Sequence, residues 1–167
     1  MELAEYYRRK RAEEIHHILK PFSPNLDLES VSEAFASLPK RLESLGRDTL
    51  EIHPSERMRM VAELLGVDIP SSARRHAAVR LSNAGFDRLP YPNQEAKAAL
   101  ESLHRRHVKM GMITNTERGQ SAWRKALECY GISQYFDVIV TSCEVGHRKP
   151  KRQIFTSCLD RLGVDAA

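Results

Sequence analysis

Through the first half of the chain, apolar residues recur at helical spacing. Leu3, Tyr6 or Tyr7, Ile15, Ile18 and Leu19 make one stripe, and the spacing predicts a helix over residues 1–19, stopped by Pro21 and Pro24. No Ser, Thr, Asp or Asn stands at its start, so the pattern is already running at residue 3. A second helix is expected over 27–46 on Val31, Phe35, Leu38, Leu42 and Leu45. Ser30 and Glu33 would form its capping box, Pro39 should kink or split it, and Gly46 suits its C-terminal cap. His53-Pro54-Ser55 opens a third helix, which carries Met58, Val61, Leu64 and Leu65 and closes at Gly66. A fourth spans about 70–83, with Gly85 just after it. Nothing in this half reads as a strand.

The pattern changes at Leu89-Pro90-Tyr91-Pro92-Asn93, where two prolines dictate an extended link. Asn93 then caps a helix over 94–104, with Ala96, Ala99, Leu100 and Leu103 on its apolar side. From there helix and strand alternate. A strand is expected over 108–113, a helix over 119–130 and a strand at Val138–Thr141. A loop through Gly146 follows, then a helix over 151–162. Helix, short strand, polar tip and helix form the unit of a parallel α/β sheet. The chain therefore divides into a helical segment, 1–88, and an α/β segment, 89–167. Ligands of such sheets collect at the carboxyl ends of the strands. Thr114, Asn115 and Thr116 fall at such an end, either as a site for phosphate oxygens or as caps for the following helix.

Composition narrows the classes. The chain has 167 residues and a net charge of +4. Its densest basic run, Arg8-Arg9-Lys10-Arg11, is interleaved with Glu2, Glu5, Glu13 and Glu14, so it reads as a solvated helix face. A nucleic-acid surface would gather such charges on one face with aromatics between them, and no nucleic-acid partner is expected. No run approaches the roughly 18 apolar residues of a membrane span, and the first residues have no apolar signal core, so no membrane partner is expected either. Cys129, Cys143 and Cys158 are odd in number and lack ligand spacing, which suggests free thiols and a cytoplasmic setting. His16-His17 and the pair His104 and His107 offer no complete ligand set, and no metal site is expected within the chain. Ser142, Cys143 and His147 lack the glycines of a nucleophile elbow, and Trp123 reads as a core anchor.

The second place with chemistry is Ser142-Cys-Glu-Val-Gly-His-Arg-Lys-Pro-Lys-Arg-Gln-Ile-Phe155. Gly146 permits a tight turn, and Pro150 holds Lys149 extended just before a helix start. A lysine there is placed to neutralise an anion beside Thr114. A Thr-Asn at one strand end, with Gly-x-x-Lys-Pro-x-x-x-Ile-Phe about 35 residues later, resembles the haloacid dehalogenase-like hydrolase superfamily.

The resemblance implies an α/β fold, an incomplete Rossmann-like core at 89–167 with an N-terminal α-helical cap at 1–88. It makes Thr114 the hydroxyl that binds the transferring phosphoryl group, with Asn115 beside it. Lys149 is the catalytic cation that steadies that group. It implies a phosphatase-type hydrolase acting on a small phosphomonoester, with Mg²⁺ expected for the complete fold.

Two family features are absent. The nucleophile belongs to an Asp-x-Asp-x-Thr ending an N-terminal strand, and this chain has no Asp-x-Asp; Asp27-Leu28-Glu29 follows no buried strand, and Asp137 stands at the wrong end of its own. The later Gly-Asp metal motif is missing too, so the Mg²⁺ ligands are not in this chain. The Asp-Pro that often follows Lys-Pro is here Lys151-Arg152. The expectation is a fragment of a longer hydrolase, or a gene model begun at an internal Met, inactive for want of its nucleophile. The rival expectation is a non-catalytic phosphate- or metabolite-binding or regulatory protein. A sheet short of strands should be weakly stable, or completed by an oligomeric partner or a missing segment.

Overall fold

The computed structural model describes residues 2–45, 51–86 and 92–165. The chain forms two units, Met1–Arg88 and Leu89–Ala167. In the first, four helices follow one another: α1 (Leu3–Leu19), α2 (Leu28–Ser44), α3 (Pro54–Leu64) and α4 (Ser71–Asn83). Their buried stripes meet in one cluster, with Ile15 and Leu19 from α1, Val31 and Leu38 from α2, Met58 and Val61 from α3, and Ala77 and Leu81 from α4. No strand occurs among this unit's described residues.

Three local expectations are corrected here. The cap of α2 is Asp27, not Ser30: its carboxylate accepts from the Ser30 N–H at 2.8 Å and from the Ser30 hydroxyl at 2.9 Å. The two carboxylate oxygens take one donor each, so the Ser30 hydroxyl is spent as a donor to the cap and does not act as the cap itself. Pro39 does not split α2, because Leu38 and Leu42 are buried around it while Pro39 itself lies exposed. That packing outweighs the one backbone hydrogen bond a proline removes. Leu45 and Leu64, counted on the apolar stripes, are exposed at 54% and 38%. Gly46 and most of the link at 89–93 lie outside the described residues.

The second unit starts with α5 (Gln94–Arg105), where the Asn93 side chain accepts from the Glu95 N–H at 3.0 Å. It continues through β1 (Gly111–Thr114), α6 (Gln120–Cys129), a 3-10 turn (Ser133–Tyr135), β2 (Val138–Thr141), α7 (Ser142–Val145) and α8 (Arg152–Leu162). β1 and β2 pair in parallel, Gly111 opposite Val138 and Thr114 opposite Thr141. The alternation of a strand sends neighbouring side chains to opposite faces. Ile139 thus joins Met110, Leu127, Ile132 and Tyr135, while Val140 joins Ile154 and Cys158 of α8. Gly111 is required by that second face: a Cβ there would collide with the Cys158 Sγ and press on Leu162.

The first strand begins three residues later than its apolar run predicts. His107 sits at φ 56°, which turns the chain, and Asp137 occupies the next places in the ladder. Its carboxylate accepts from the Met110 N–H at 2.7 Å, and its N–H donates to the Met110 carbonyl at 2.9 Å. Ladder pairing starts only beyond this side-chain bridge. The loop expected after β2 is in part the helical turn α7, closed by Gly146 at φ 78°, a left-handed position that favours glycine.

Candidate functional site

Thr114 and Thr141 end the two strands side by side. Thr114 is half-buried, and the chain leaves the sheet through Asn115 to Gly119. This loop is pinned from below by Ser142, which is wholly buried. The Ser142 hydroxyl accepts from the Thr116 N–H at 2.8 Å and donates to the Thr116 carbonyl at 3.1 Å. The Thr116 hydroxyl accepts in turn from the Arg118 N–H at 3.1 Å and from the Trp123 indole N–H at 3.2 Å. The N-cap of α6 is Gly119, with no side-chain cap, while the Gln120 N–H is taken by the Glu144 carboxylate at 2.8 Å. Thr114, Asn115 and Thr116 therefore do not cap the helix that follows them.

The Lys149 loop closes over the same strand end. The Lys149 N–H donates to Asn115 Oδ1 at 2.7 Å, and the Lys149 carbonyl accepts from Asn115 Nδ2 at 3.2 Å. The Lys149 ammonium donates to the Ile113 carbonyl at 2.9 Å. The Lys149–Pro150 peptide is cis, and the Lys151 N–H donates to the Arg148 carbonyl at 2.9 Å to close the turn. Residues more than thirty apart in the chain thus converge on the carboxyl end of β1. Arg148, Lys149, Lys151 and Arg152 are all exposed, so the rim of this end is cationic.

Mg²⁺ takes a hard, oxygen-rich shell in which carboxylates dominate. Among the described residues no group of three or more His, Cys, Asp or Glu could hold a metal. Asp137 is spent on Met110 at the amino end of the sheet, and Asp27 caps α2. Thr114, Asn115 and Lys149 offer a hydroxyl, an amide and an ammonium, and the Glu144 carboxylate nearby is engaged by the Gln120 N–H, so this set does not fit Mg²⁺.

Two of the remaining candidate histidines have structural partners. His16 Nε2 meets the Leu26 carbonyl at 2.9 Å, and His104 packs edge-on against Tyr135 with ring centres 5.6 Å apart. All three cysteines are free. Burial pushes the Cys158 thiol up, away from the nucleophilic thiolate. Trp123 is only half-buried, and its indole N–H serves the Thr116 hydroxyl. Sequence reasoning missed two roles: Ser142 as the tie between the loops, and Asn115 as a partner of the Lys149 backbone. The one signal for Ser142 was a second hydroxyl directly after Thr141, at the end of an otherwise apolar strand.

A family profile described as haloacid dehalogenase-like hydrolase matches residues 29–167. The chain is 34% identical over 93 residues to Phosphatase MT3486 of Mycobacterium tuberculosis (strain CDC 1551 / Oshkosh), an overlap of 56% of this chain and 41% of that protein. It is 36% identical over 74 residues to the glyceraldehyde 3-phosphate phosphatase of Methanothermobacter thermautotrophicus, covering 44% and 31%. It is 43% identical over 60 residues to the pyrimidine 5'-nucleotidase YjjG of Escherichia coli (strain K12), covering 35% and 25%. The chain thus spans well under half the length of these relatives. A solved HAD phosphatase from Thermococcus onnurineus superposes with a TM-score of 0.47 at 20% identity, covering 98% of this chain and 65% of that one. Since the family profile takes in most of its length, the chain belongs to the haloacid dehalogenase-like hydrolases, with an α/β core and a helical cap.

Proposed function

We propose that the carboxyl ends of β1 and β2 hold the phosphoryl group of a small phosphomonoester. In this reading the Thr114 hydroxyl donates to a phosphoryl oxygen, and the Lys149 ammonium offsets its charge. Residues 1–88 act as the helical cap that selects the rest of the substrate. The observation that carries the reading is the convergence of both motifs on one strand end, where the Lys149 ammonium rests 2.9 Å from the Ile113 carbonyl. An ammonium held on a neutral carbonyl is ready to exchange that partner for an anion, because an anion answers its charge with a full opposite charge and the carbonyl only with a dipole. Relatives named as phosphatases of small metabolites support the substrate class. Three free cysteines fit a cytoplasmic setting.

These residues supply phosphoryl binding and not the attacking group. The chain contains no Asp-x-Asp, and the nearby Glu144 carboxylate accepts from the Gln120 N–H. Without a nucleophile the chemical step loses most of its acceleration. The 167-residue polypeptide is therefore expected to bind orthophosphate and to show no phosphatase turnover. The matching experiment is a thermal melt with increasing orthophosphate at constant ionic strength, beside an assay with a generic phosphomonoester and Mg²⁺. A rise in Tm that disappears in Lys149→Ala supports the reading. An unchanged melt would sink it. Turnover that survives Lys149→Ala would overturn the assigned chemistry.

A further inference from the structure

We propose that the Asn115 side chain positions Lys149 and is not itself a ligand of the phosphoryl group. The proposal rests on the reading that this group sits at Lys149. Asn115 stands directly after Thr114, where its amide would naturally be assigned to a phosphate oxygen. Its side chain is instead engaged twice by a single residue. Oδ1 accepts from the Lys149 N–H at 2.7 Å, and Nδ2 donates to the Lys149 carbonyl at 3.2 Å. A carboxamide presents one acceptor and one donor side by side, as a peptide group does, so it pairs with a residue's backbone the way a neighbouring strand would.

Lys149 is exposed and belongs to no regular element. Nothing in a helix or a sheet ladder holds its Cα. The two Asn115 bonds fix that Cα relative to β1, and the ammonium then reaches back to the Ile113 carbonyl two residues before Asn115. Three bonds join Lys149 to Ile113 and Asn115. The lysine side chain is left with little more than its own rotamers to lose when an anion replaces the Ile113 carbonyl. That preorganisation raises affinity by lowering the ordering cost of binding.

The side-chain chemistry is specific. Aspartate would set a second acceptor against the Lys149 carbonyl and so repel it. Serine or alanine would lose one or both bonds. Glutamine would carry the same amide on a longer arm, displaced by one methylene.

The test is a double-mutant cycle on orthophosphate affinity, followed by amide NMR at constant ionic strength, with wild type, Asn115→Ala, Lys149→Ala and the double variant. Two hydrogen bonds to a charged group's carrier correspond to about a tenfold loss. Asn115→Ala is expected to weaken binding about tenfold. In the Lys149→Ala background it should have no further effect, to within a factor of about two, because a residue acting only through Lys149 is silent once that side chain is gone. If the two losses multiply, the Asn115 side chain touches the phosphate itself and the proposal fails. An Asn115→Ala affinity equal to wild type also overturns it, while leaving the phosphate site standing. If wild type binds no orthophosphate, the site reading falls and takes this one with it. Should Asn115→Ala not fold, Asn115→Ser, which retains one hydrogen-bonding group, takes its place in the same cycle.

Discussion

The two units of this chain solve the burial problem differently. In Met1–Arg88, four helices direct their stripes into a single cluster, to which each contributes wholly buried or nearly buried side chains. Their outer faces carry ion pairs such as Arg9–Glu13, Lys10–Glu13 and Arg59 with Glu56 and Glu63. In Leu89–Ala167 the apolar residues are split by a two-stranded sheet into two smaller clusters. α5 is strongly amphipathic by sequence yet has no buried residue, and Leu103, Val108 and Phe155 are exposed at 37–43%. The helical unit draws its order from a continuous core. The α/β unit depends more on individual contacts, among them Gly111 under α8, Asp137 on Met110, and Ser142 and Asn115 on the loops. A scaffold with that organisation holds polar side chains at strand ends, where a packed core would have no room for them.

Disturbing that contrast should have graded effects. The largest belongs to the helical core. Leu38 is fully buried in it, so Leu38→Ala should cost about 2–5 kcal/mol, read from urea unfolding together with amide exchange in α2 and α3. A loss below about 1 kcal/mol would mean that the cluster is not continuous.

In the α/β unit, Gly111→Ala should cost about 1–3 kcal/mol by forcing α8 off the strand. Cys158→Ala in the same chain should recover part of that loss, since it removes the atom the new methyl meets. Purely additive losses would show that the close approach is not what constrains residue 111.

A smaller effect concerns pH. Bonds from the Ser30 N–H and hydroxyl hold the Asp27 carboxyl below its usual range. Its folded pKa is depressed, so its contribution is present above the ordinary aspartate range and fades as pH falls through the lowered value. Asp27→Asn keeps a capping oxygen and should flatten this acid limb of the stability curve. If the limb is unchanged in the variant, another carboxylate produces it.

The smallest effect is at the surface. Lys10 and Arg9 hold the Glu13 carboxyl below its usual range, but the pair is solvated. Glu13→Gln should shift stability by no more than about 0.5 kcal/mol, and raising salt should reduce even that.

Local chemistry was enough to read most of the elements. The stripes at Ile15, Leu38 and Met58, the Asn93 cap and the run Val138–Thr141 all express preferences that act within a few residues, so periodicity and capping rules reach them. The motif residues Thr114 and Lys149 were legible for the same reason: each is a particular side chain beside a strand end or a proline. The side chains that tie their loops together were not. Asn115 looked like a ligand because its neighbours in the chain are polar. Folding instead turned its amide onto the Lys149 backbone, 34 residues away. Ser142 entered only in a nucleophile set that lacks its elbow glycines, and packing made it the fully buried tie to Thr116. The first strand was read too early because an apolar run marks what can be buried, while ladder pairing marks where a partner exists. Hydrogen-bond partners distant in sequence are chosen by the path of the backbone, and that path follows from the packing of all the elements together.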